Sequence, residues 1–194
     1  MNEIKIAKTK YPVNELIKKR WSARSFSNKT ISQELLNQLF EAASWAPSSM
    51  NAQPWKYIYA HRTDQTAFHK MAECLTGGNK PWAPQASVLI LSLAQTKLDT
   101  GHLNTAAIHD VGGSNALLMI EAVANNIYGH LMGGFDYEKA IKEFNLPDDL
   151  QPVVIIALGY LDDPHKLAEP YKTREVTARH RKSLDEFVFE GGLK

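Results

Sequence analysis

Apolar residues follow two different periods along the chain, and each change of period predicts a new element. Ser32 precedes an apolar series with helical spacing, and Ile31 and Leu36 stand at the two positions of a hydrophobic staple. The series ends at Pro47, so it predicts a helix that begins after Ser32. The same reasoning predicts further helices over residues 13–19, 66–75, 108–126 and 137–144.

Runs rich in β-branched and aromatic residues predict the strands. They cover residues 55–61, 86–94 and 153–160, and a short alternating run over 184–190 predicts another strand near the carboxyl terminus. The glycine-rich stretch 129–136 is typical of a turn or of backbone that lies close to a ligand. Alternating strands and helices predict one α/β or α+β domain over residues 1–194, with a central sheet covered on both faces.

Composition narrows the functional classes. The 194 residues carry 22 basic and 21 acidic side chains, so the balanced charge argues against a nucleic-acid or anionic-membrane partner. The amino terminus lacks an apolar signal region and no run is long enough to cross a membrane, so we expect a soluble, cytoplasmic protein. Cys74 is the one cysteine, and we interpret it as a structural thiol. Histidine spacing gives no support for a metal site.

Two stretches carry candidate binding chemistry. Arg20, Ser22 and Arg24 share a face if their segment is extended, and guanidinium groups beside a hydroxyl suit a phosphate. The alternative is a basic surface patch. Downstream, a loop offers Ser48, Ser49, Asn51 and Gln53, whose carboxamides suit a ring edge with both donors and acceptors; its alternative is an ordinary polar turn.

Two further features have open interpretations. Arg179 and Arg181, two positions apart, could both reach the same phosphate, or they could form a solvated basic face. Trp82 lies in a proline-containing loop that could close over a flat ligand as a lid, or its indole could be buried in the core.

The two motifs together resemble the amino-terminal signature of the nitroreductase family of flavin mononucleotide (FMN) enzymes. The resemblance rests on RWSARSF at residues 20–26 and APSSMNAQPW at 46–55. It continues in HLMGGFD at 130–136, PVVIIALGY at 152–160 and RKSLDEFVFEG near the carboxyl terminus, and so covers nearly the whole chain.

That resemblance implies a fold and an assembly. The expected fold is α+β, with a nitroreductase-like mixed central β-sheet flanked by helices. The expected assembly is a homodimer with FMN at the subunit interface and the carboxyl-terminal strand exchanged between subunits. Carried over by position, it also implies a set of cofactor-binding residues: Arg20, Trp21, Ser22, Arg24, Ser49, Asn51, Gln53, Met132, Gly133, Gly134, Arg179 and Arg181.

Within that implied set, the positions have different roles. Arg20, Ser22, Arg179 and Arg181 would hold the phosphate, and Arg24 would lie near N1/O2 of the flavin. The loop with Asn51 and Gln53 would contact the isoalloxazine, commonly from the other subunit, and the backbone at 132–134 would lie near N5. Trp21 stands at a variable position of the motif, where its ring packs in the core or shapes the phosphate loop.

The implied activity is electron transfer from NAD(P)H through FMN to nitroaromatic, quinone or similar acceptors by a ping-pong mechanism. No catalytic side chain and no metal are expected, because the flavin supplies the chemistry. The chain has no GxGxxG after a strand, so a nicotinamide would bind transiently over the flavin. A flavin oxidase or dehydrogenase that does not use NAD(P)H and a non-catalytic FMN-binding protein remain alternatives.

Overall fold

A computed structural model describes residues 3–193 of the chain. Its helices are α1 (Glu15–Lys19), α2 (Gln33–Ser44), α3 (Gln65–Ala72), α4 (Ala107–Ala124), α5 (Tyr137–Glu143) and α6 (Tyr171–Val176). Its strands are β1 (Trp55–His61), β2 (Val88–Gln95), β3 (Tyr128–Met132) and β4 (Leu150–Gly159). Most of the predicted helices and strands are present, and their ends lie within about three residues of the predicted positions. This difference is the normal uncertainty of helix and strand ends.

Polar side chains cap the helices where the pattern places their beginnings. The Ser32 hydroxyl accepts a hydrogen bond from Leu35 N at 3.2 Å before α2. Asp136 accepts one from Lys139 N at 2.9 Å before α5. Each cap satisfies a backbone N–H that has no partner inside the helix, so these two side chains fix where the helices begin.

The four strands form one sheet in the order β1-β2-β4-β3, and every neighbouring pair is antiparallel. The isolated bridge between Ser22 and Gly129, at the outer edge of β3, is parallel. The α+β prediction is confirmed, and the sheet is mixed only when this bridge is counted. The register shifts opposite Pro152, because proline has no N–H for the ladder.

Both faces of the sheet are covered. On one face, Ile90 and Ile156 pack with residues of α2 and α4, and on the other, Leu91 and Ile155 pack in a cluster that includes Trp82. Because successive side chains of a strand point to opposite faces, a continuous apolar run is the pattern of a strand buried on both sides. The molecule therefore has three layers, with the site segments at the sheet edges.

Two local predictions were wrong or incomplete. The stretch 129–136 begins as part of strand β3, which the turn interpretation missed because glycine weakens the strand pattern. A Cβ at Gly129 would lie 2.7 Å from a side-chain carbon of Leu158, so a larger residue there would have to displace that side chain. The carboxyl-terminal run has no strand in the described chain, and its regular secondary structure is a single turn of 3-10 helix at Leu184–Glu186.

Candidate functional site

The segment after α1 runs extended along the outer edge of β3. Ser22 bridges Gly129, and Phe26 bridges Leu161. Trp21, Ala23 and Ser25 are buried, whereas the intervening residues Arg20, Ser22 and Arg24 are partly exposed. This alternation places the three polar side chains on one face, as the sequence predicts.

Arg20 and Arg24 do not share one partner. Four residues of extended chain span about 13 Å, so the two side chains begin at different ends of the face. Arg20 lies within electrostatic range of Arg181, whereas Arg24 lies beside Glu175. The two guanidiniums share a face but do not converge on one phosphate, because they lie at two ends of that face: a cationic end at Arg20 and a carboxylate-paired end at Arg24.

Three arginines gather at the cationic end. Burial, together with the charge of Arg181, lowers the pKa of Arg20 below its usual value. Burial and the charges of Arg20 and Arg181 likewise lower the pKa of Arg179. No carboxylate within residues 3–193 forms an ion pair with any of the three. Like charges held together without a counter-ion favour an anionic ligand.

The three guanidiniums are used differently. Arg179 donates to Arg20 O and to Lys18 O, both at 2.6 Å, and its buried Nε has no hydrogen-bond partner among the described atoms. Arg181 is exposed and donates to His180 O at 2.8 Å. The guanidinium of Arg20 and the hydroxyl of Ser22 make no hydrogen bond within residues 3–193. Arg179 thus ties the carboxyl-terminal segment to the motif, while the other groups remain available to a ligand.

Glu175 organises the other end of the face. Its Oε1 accepts hydrogen bonds from Arg24 N at 2.8 Å and Ser25 N at 3.0 Å. Its Oε2 lies 3.9 Å from an Nη of Arg24, and the carboxylate is 2% exposed. The Arg24 guanidinium also lies 5.7 Å from the centroid of the Trp82 ring. One buried acid, which the sequence analysis did not single out, therefore fixes the backbone at Arg24 and lies close enough to attract its guanidinium.

His130 lies beneath this segment. Its Nδ1 is 3.1 Å from Ala23 O, so the protonated nitrogen donates to that carbonyl, and its ring centroid is 4.6 Å from that of Trp82. Burial, assisted by the charge of Arg24, lowers the pKa of His130 to about 4. Trp82 itself is 1% exposed and donates to Gly78 O at 3.1 Å. The lid interpretation of Trp82 is wrong, because its indole belongs to the core.

The other predicted site residues outside the second polar loop differ in how exposed they are. Trp21 is 4% exposed and packs at 6.1 Å against Tyr128, so its ring belongs to the core and not to the open face. Met132 is buried at the end of β3, and Gly133 and Gly134 follow it on the surface. The N–H groups of both glycines donate to nothing within residues 3–193, and a Cβ at Gly133 would meet open space. This short stretch offers two free backbone donors.

The second polar loop is exposed and left-handed. Met50, Asn51 and Gln53 have φ of 53°, 54° and 48°, a region that costs about 1–3 kcal/mol for a residue other than glycine. Ser49 N donates to Asp110 Oδ2 at 2.9 Å, and Gln53 N donates to the Ser48 hydroxyl at 3.1 Å. These bonds hold the loop in place, and its carboxamides are exposed, with Gln53 Nε2 donating to Asn51 O at 3.1 Å.

The two halves of the predicted site do not meet within one chain. The loop with Asn51 leads into β1 at one edge of the sheet, and the Arg20–Arg24 segment borders β3 at the other edge. Four inter-strand spacings separate these edges, or about 19 Å. The two segments therefore do not form a common pocket within one chain, and a site that uses both needs a second copy.

An open cavity of about 1210 Å³ adjoins the cationic end. It lies between residues 4–13 and residues 178–187, and Lys8, Lys10, Arg179 and Arg181 are among its lining residues. Within residues 3–193 no group of three or more His, Cys, Asp or Glu side chains could hold a metal ion. In the same range no helix is both long and apolar enough to cross a bilayer.

Comparisons with known proteins agree on one family. The Nitroreductase family model matches residues 17–160. A Mycolicibacterium smegmatis protein named for its 15.4 kDa mass is 36% identical over 132 residues, which are 68% of this chain and 87% of the relative. FMN reductase (NAD(P)H) of Bacillus subtilis is 39% identical over 85 residues, or 42% of this chain and 32% of that protein. A crystal structure described as an oxidoreductase containing FMN superposes with a TM-score of 0.91 at 30% identity and covers 96% of both chains.

Proposed function

The chain belongs to the nitroreductase family, and from that premise we propose that it uses FMN to transfer electrons from NAD(P)H to nitroaromatic, quinone or similar electron-poor acceptors. The observation that carries the proposal is the cluster of Arg20, Arg179 and Arg181, which has no counter-ion among the described carboxylates. Such a cluster at the end of an open polar face fits the phosphate of a mononucleotide.

The donors at the cationic end match what a phosphate requires. The Arg20 guanidinium and the Ser22 hydroxyl are free of hydrogen bonds within residues 3–193, and Arg181 is exposed beside them. Arg179 contributes charge and holds the backbone of Lys18 and Arg20 in place. Each charge-assisted hydrogen bond contributes about 1.5–3 kcal/mol, so a few of them suffice to retain the cofactor.

The other end of the face suits the flavin ring. Arg24 would stabilise negative charge at the N1/O2 edge, and the free N–H groups of Gly133 and Gly134, which follow Met132, are donors for the region of N5. Bound FMN would supply hydride acceptance and release at N5. The chain's own groups bind and orient the cofactor and set the charge around it.

We assign a second copy of the chain to this site. Asn51 and Gln53 of the partner subunit, together with Ser49 of the partner subunit, would contact the ring, because the same loop lies at the far edge of the sheet in one chain. Helix α4 supports this assembly, since Ile108, Gly112 and Ala116 form an exposed stripe of apolar and small residues at successive turns. The exposed apolar residues after 184 would pack on the partner.

The nicotinamide and the acceptor would occupy the same open face in turn. The sequence has no dinucleotide fingerprint that would hold a nicotinamide permanently. Cys74 is 0% exposed, and burial raises the pKa of its thiol, so it is unsuited to act as a nucleophile. Substrate turnover therefore depends on access to the flavin face and not on a reactive side chain.

The test is an absorbance spectrum of the purified chain after loading with FMN, followed by anaerobic NADPH and then NADH. Flavin absorbance that bleaches with either nucleotide, and returns when a nitroaromatic or a quinone is added, is the expected result. Bound flavin that stays oxidised with both nucleotides overturns the NAD(P)H reaction and favours an oxidase or a non-catalytic flavin protein. A chain that cannot be loaded with FMN overturns the whole proposal.

A further inference from the structure

The contacts proposed for the phosphate and for the flavin ring give no role to Glu175. It is a carboxylate with 2% exposure, and it lies on α6, far in sequence from the motif that it contacts. Its Oε1 accepts from Arg24 N and Ser25 N, at 2.8 and 3.0 Å. A buried acid that binds two successive backbone amides fixes the course of that segment.

The same carboxylate also changes the charge of the open face. Its Oε2 is 3.9 Å from the Arg24 guanidinium, and the Arg24 side chain is 21% exposed. The buried carboxylate therefore offsets part of the positive charge that faces the site. Lys5 also lies within its electrostatic range, and the Lys5 ammonium is engaged with Arg174 O and Thr177 O at 2.6 Å each. Arg24, whose side chain is partly exposed, is the neighbouring cation that faces the site.

We propose that Glu175 is a positioning residue of the flavin site that fixes the backbone of Arg24 and, by offsetting the charge of its guanidinium, lowers the reduction potential of bound FMN. This inference rests on the proposed function. A positive charge beside the N1/O2 edge favours the electron-rich state of the ring, and a nearby carboxylate weakens that effect. The chain thus sets the potential through a pair, not through Arg24 alone.

The experiment measures the midpoint potential of bound FMN by anaerobic titration against a reference dye, and the FMN dissociation constant by fluorescence. Glu175→Gln removes the charge but keeps an oxygen that can accept from both amides. We expect a more positive potential with a dissociation constant changed by less than about threefold, because the backbone contacts persist. Glu138→Gln, at an exposed position of α5, is the matched control and should leave both quantities unchanged.

Two further variants separate the two effects of Glu175. Glu175→Ala removes the acceptor as well as the charge, so it should also weaken FMN binding by about tenfold or more. Arg24→Gln removes the partner cation and should move the potential in the negative direction, which tests whether Arg24 has the effect that Glu175 is proposed to offset, even if Glu175→Gln does not fold.

The outcomes distinguish a failure of this inference from a failure of the proposed function. If FMN binds and the potential of Glu175→Gln is unchanged or more negative, the inference is overturned and the function stands. A folded Glu175→Gln protein that loses FMN, or an Arg24→Gln protein with unaltered potential, also overturns it. If the unsubstituted chain does not bind FMN, both the function and the inference fail.

Discussion

Arg20 stands where α1 ends and the extended segment begins, and its guanidinium is the one most clearly placed for an anion. The residue is partly buried, makes no hydrogen bond with its side chain in the described chain, and faces Arg181. We expect Arg20→Ala to weaken FMN binding by about tenfold or more, since one charge-assisted contact of 1.5–3 kcal/mol is lost. The measurement is an FMN titration followed by flavin fluorescence.

The matched control for this variant is Arg62→Ala. The Arg62 guanidinium donates to Gln85 O at 2.7 Å, on a part of the surface away from the extended segment, so its loss should leave FMN affinity unchanged. Removal of Arg20 should not lower the unfolding temperature, because like charges surround this side chain. An Arg20→Ala protein with normal FMN affinity would remove the phosphate role from the residue.

His130 makes the stability of the chain depend on pH. Burial and the charge of Arg24 lower its pKa to about 4, so between pH 6.5 and 4 the unfolded chain binds more protons than the folded chain. The contribution of His130 to the free energy of unfolding is complete above about pH 6.5 and is lost as pH falls towards 4, by about 3 kcal/mol at the most.

Chemical denaturation at pH 7 and pH 5 measures this effect. His130→Gln should lose less stability than the unsubstituted chain over that interval, because the substituted side chain cannot take up a proton. His102→Gln, in an exposed loop, should behave like the unsubstituted chain. Equal pH dependence in all three proteins would contradict the buried neutral state of His130.

At the scale of elements, the second loop depends on Asp110 of α4. This carboxylate is 5% exposed, and it accepts from Ser49 N at 2.9 Å, just before three residues with left-handed φ. Asp110→Ala should release the loop, because losing an acceptor for a hydrogen bond to a charged group costs about 1.5–3 kcal/mol. Hydrogen exchange at the amides of residues 48–53 should then become faster, and FMN affinity should fall.

Asp110→Asn keeps an oxygen for Ser49 N and should restore most of the protection, which makes it the matched variant. The rest of α4 reports on global stability, so its amides should exchange as before in Asp110→Asn. If the loop amides exchange at the same rate in Asp110→Ala as in the unsubstituted chain, Asp110 does not hold the loop.

The elements also show how far the sequence could predict this molecule. Helix α2 and strand β1 have strong local signals, a serine cap and a run of aromatic residues, and both were predicted within a few residues. Strand β3 was missed, since Gly129 weakens the local strand signal and the strand forms by pairing with β4. The strand predicted over 184–190 is absent from the described chain, because alternation alone does not supply a neighbouring strand.

In the candidate site too, some residues could be predicted from the local sequence, and others depend on contacts between segments far apart in the chain. The face with Arg20, Ser22 and Arg24 is a local consequence of extended backbone and was predictable. Glu175 was not predictable, because its role arises only when α6 folds back on the motif, and a lone glutamate in a helix gives no local signal. The core positions of Trp21 and Trp82 likewise depend on long-range packing, which local composition does not encode.

At the scale of the whole molecule, the two polar segments lie at opposite edges of one sheet, and helix α4 presents an exposed stripe of apolar and small residues. Ala116 is the last residue of the exposed stripe of α4, one turn after Gly112. We expect Ala116→Glu to convert a dimer into a monomer, because a carboxylate without a partner is costly to bury at an interface. Thr66→Glu, at an exposed position of α3, introduces the same charge away from the stripe and should leave the dimer intact.

The same variant tests whether the site requires two chains. The monomer keeps Arg20, Ser22, Arg24 and Glu175 in place, since these contacts lie within one chain, but it loses the loop that the partner would supply. FMN affinity should therefore fall by about tenfold or more, as several polar contacts disappear together. Sedimentation velocity and FMN titration on the same samples decide the point. A monomer with undiminished FMN affinity would place the complete site in one chain, and the loop with Asn51 and Gln53 would then be a preformed surface without a role in binding.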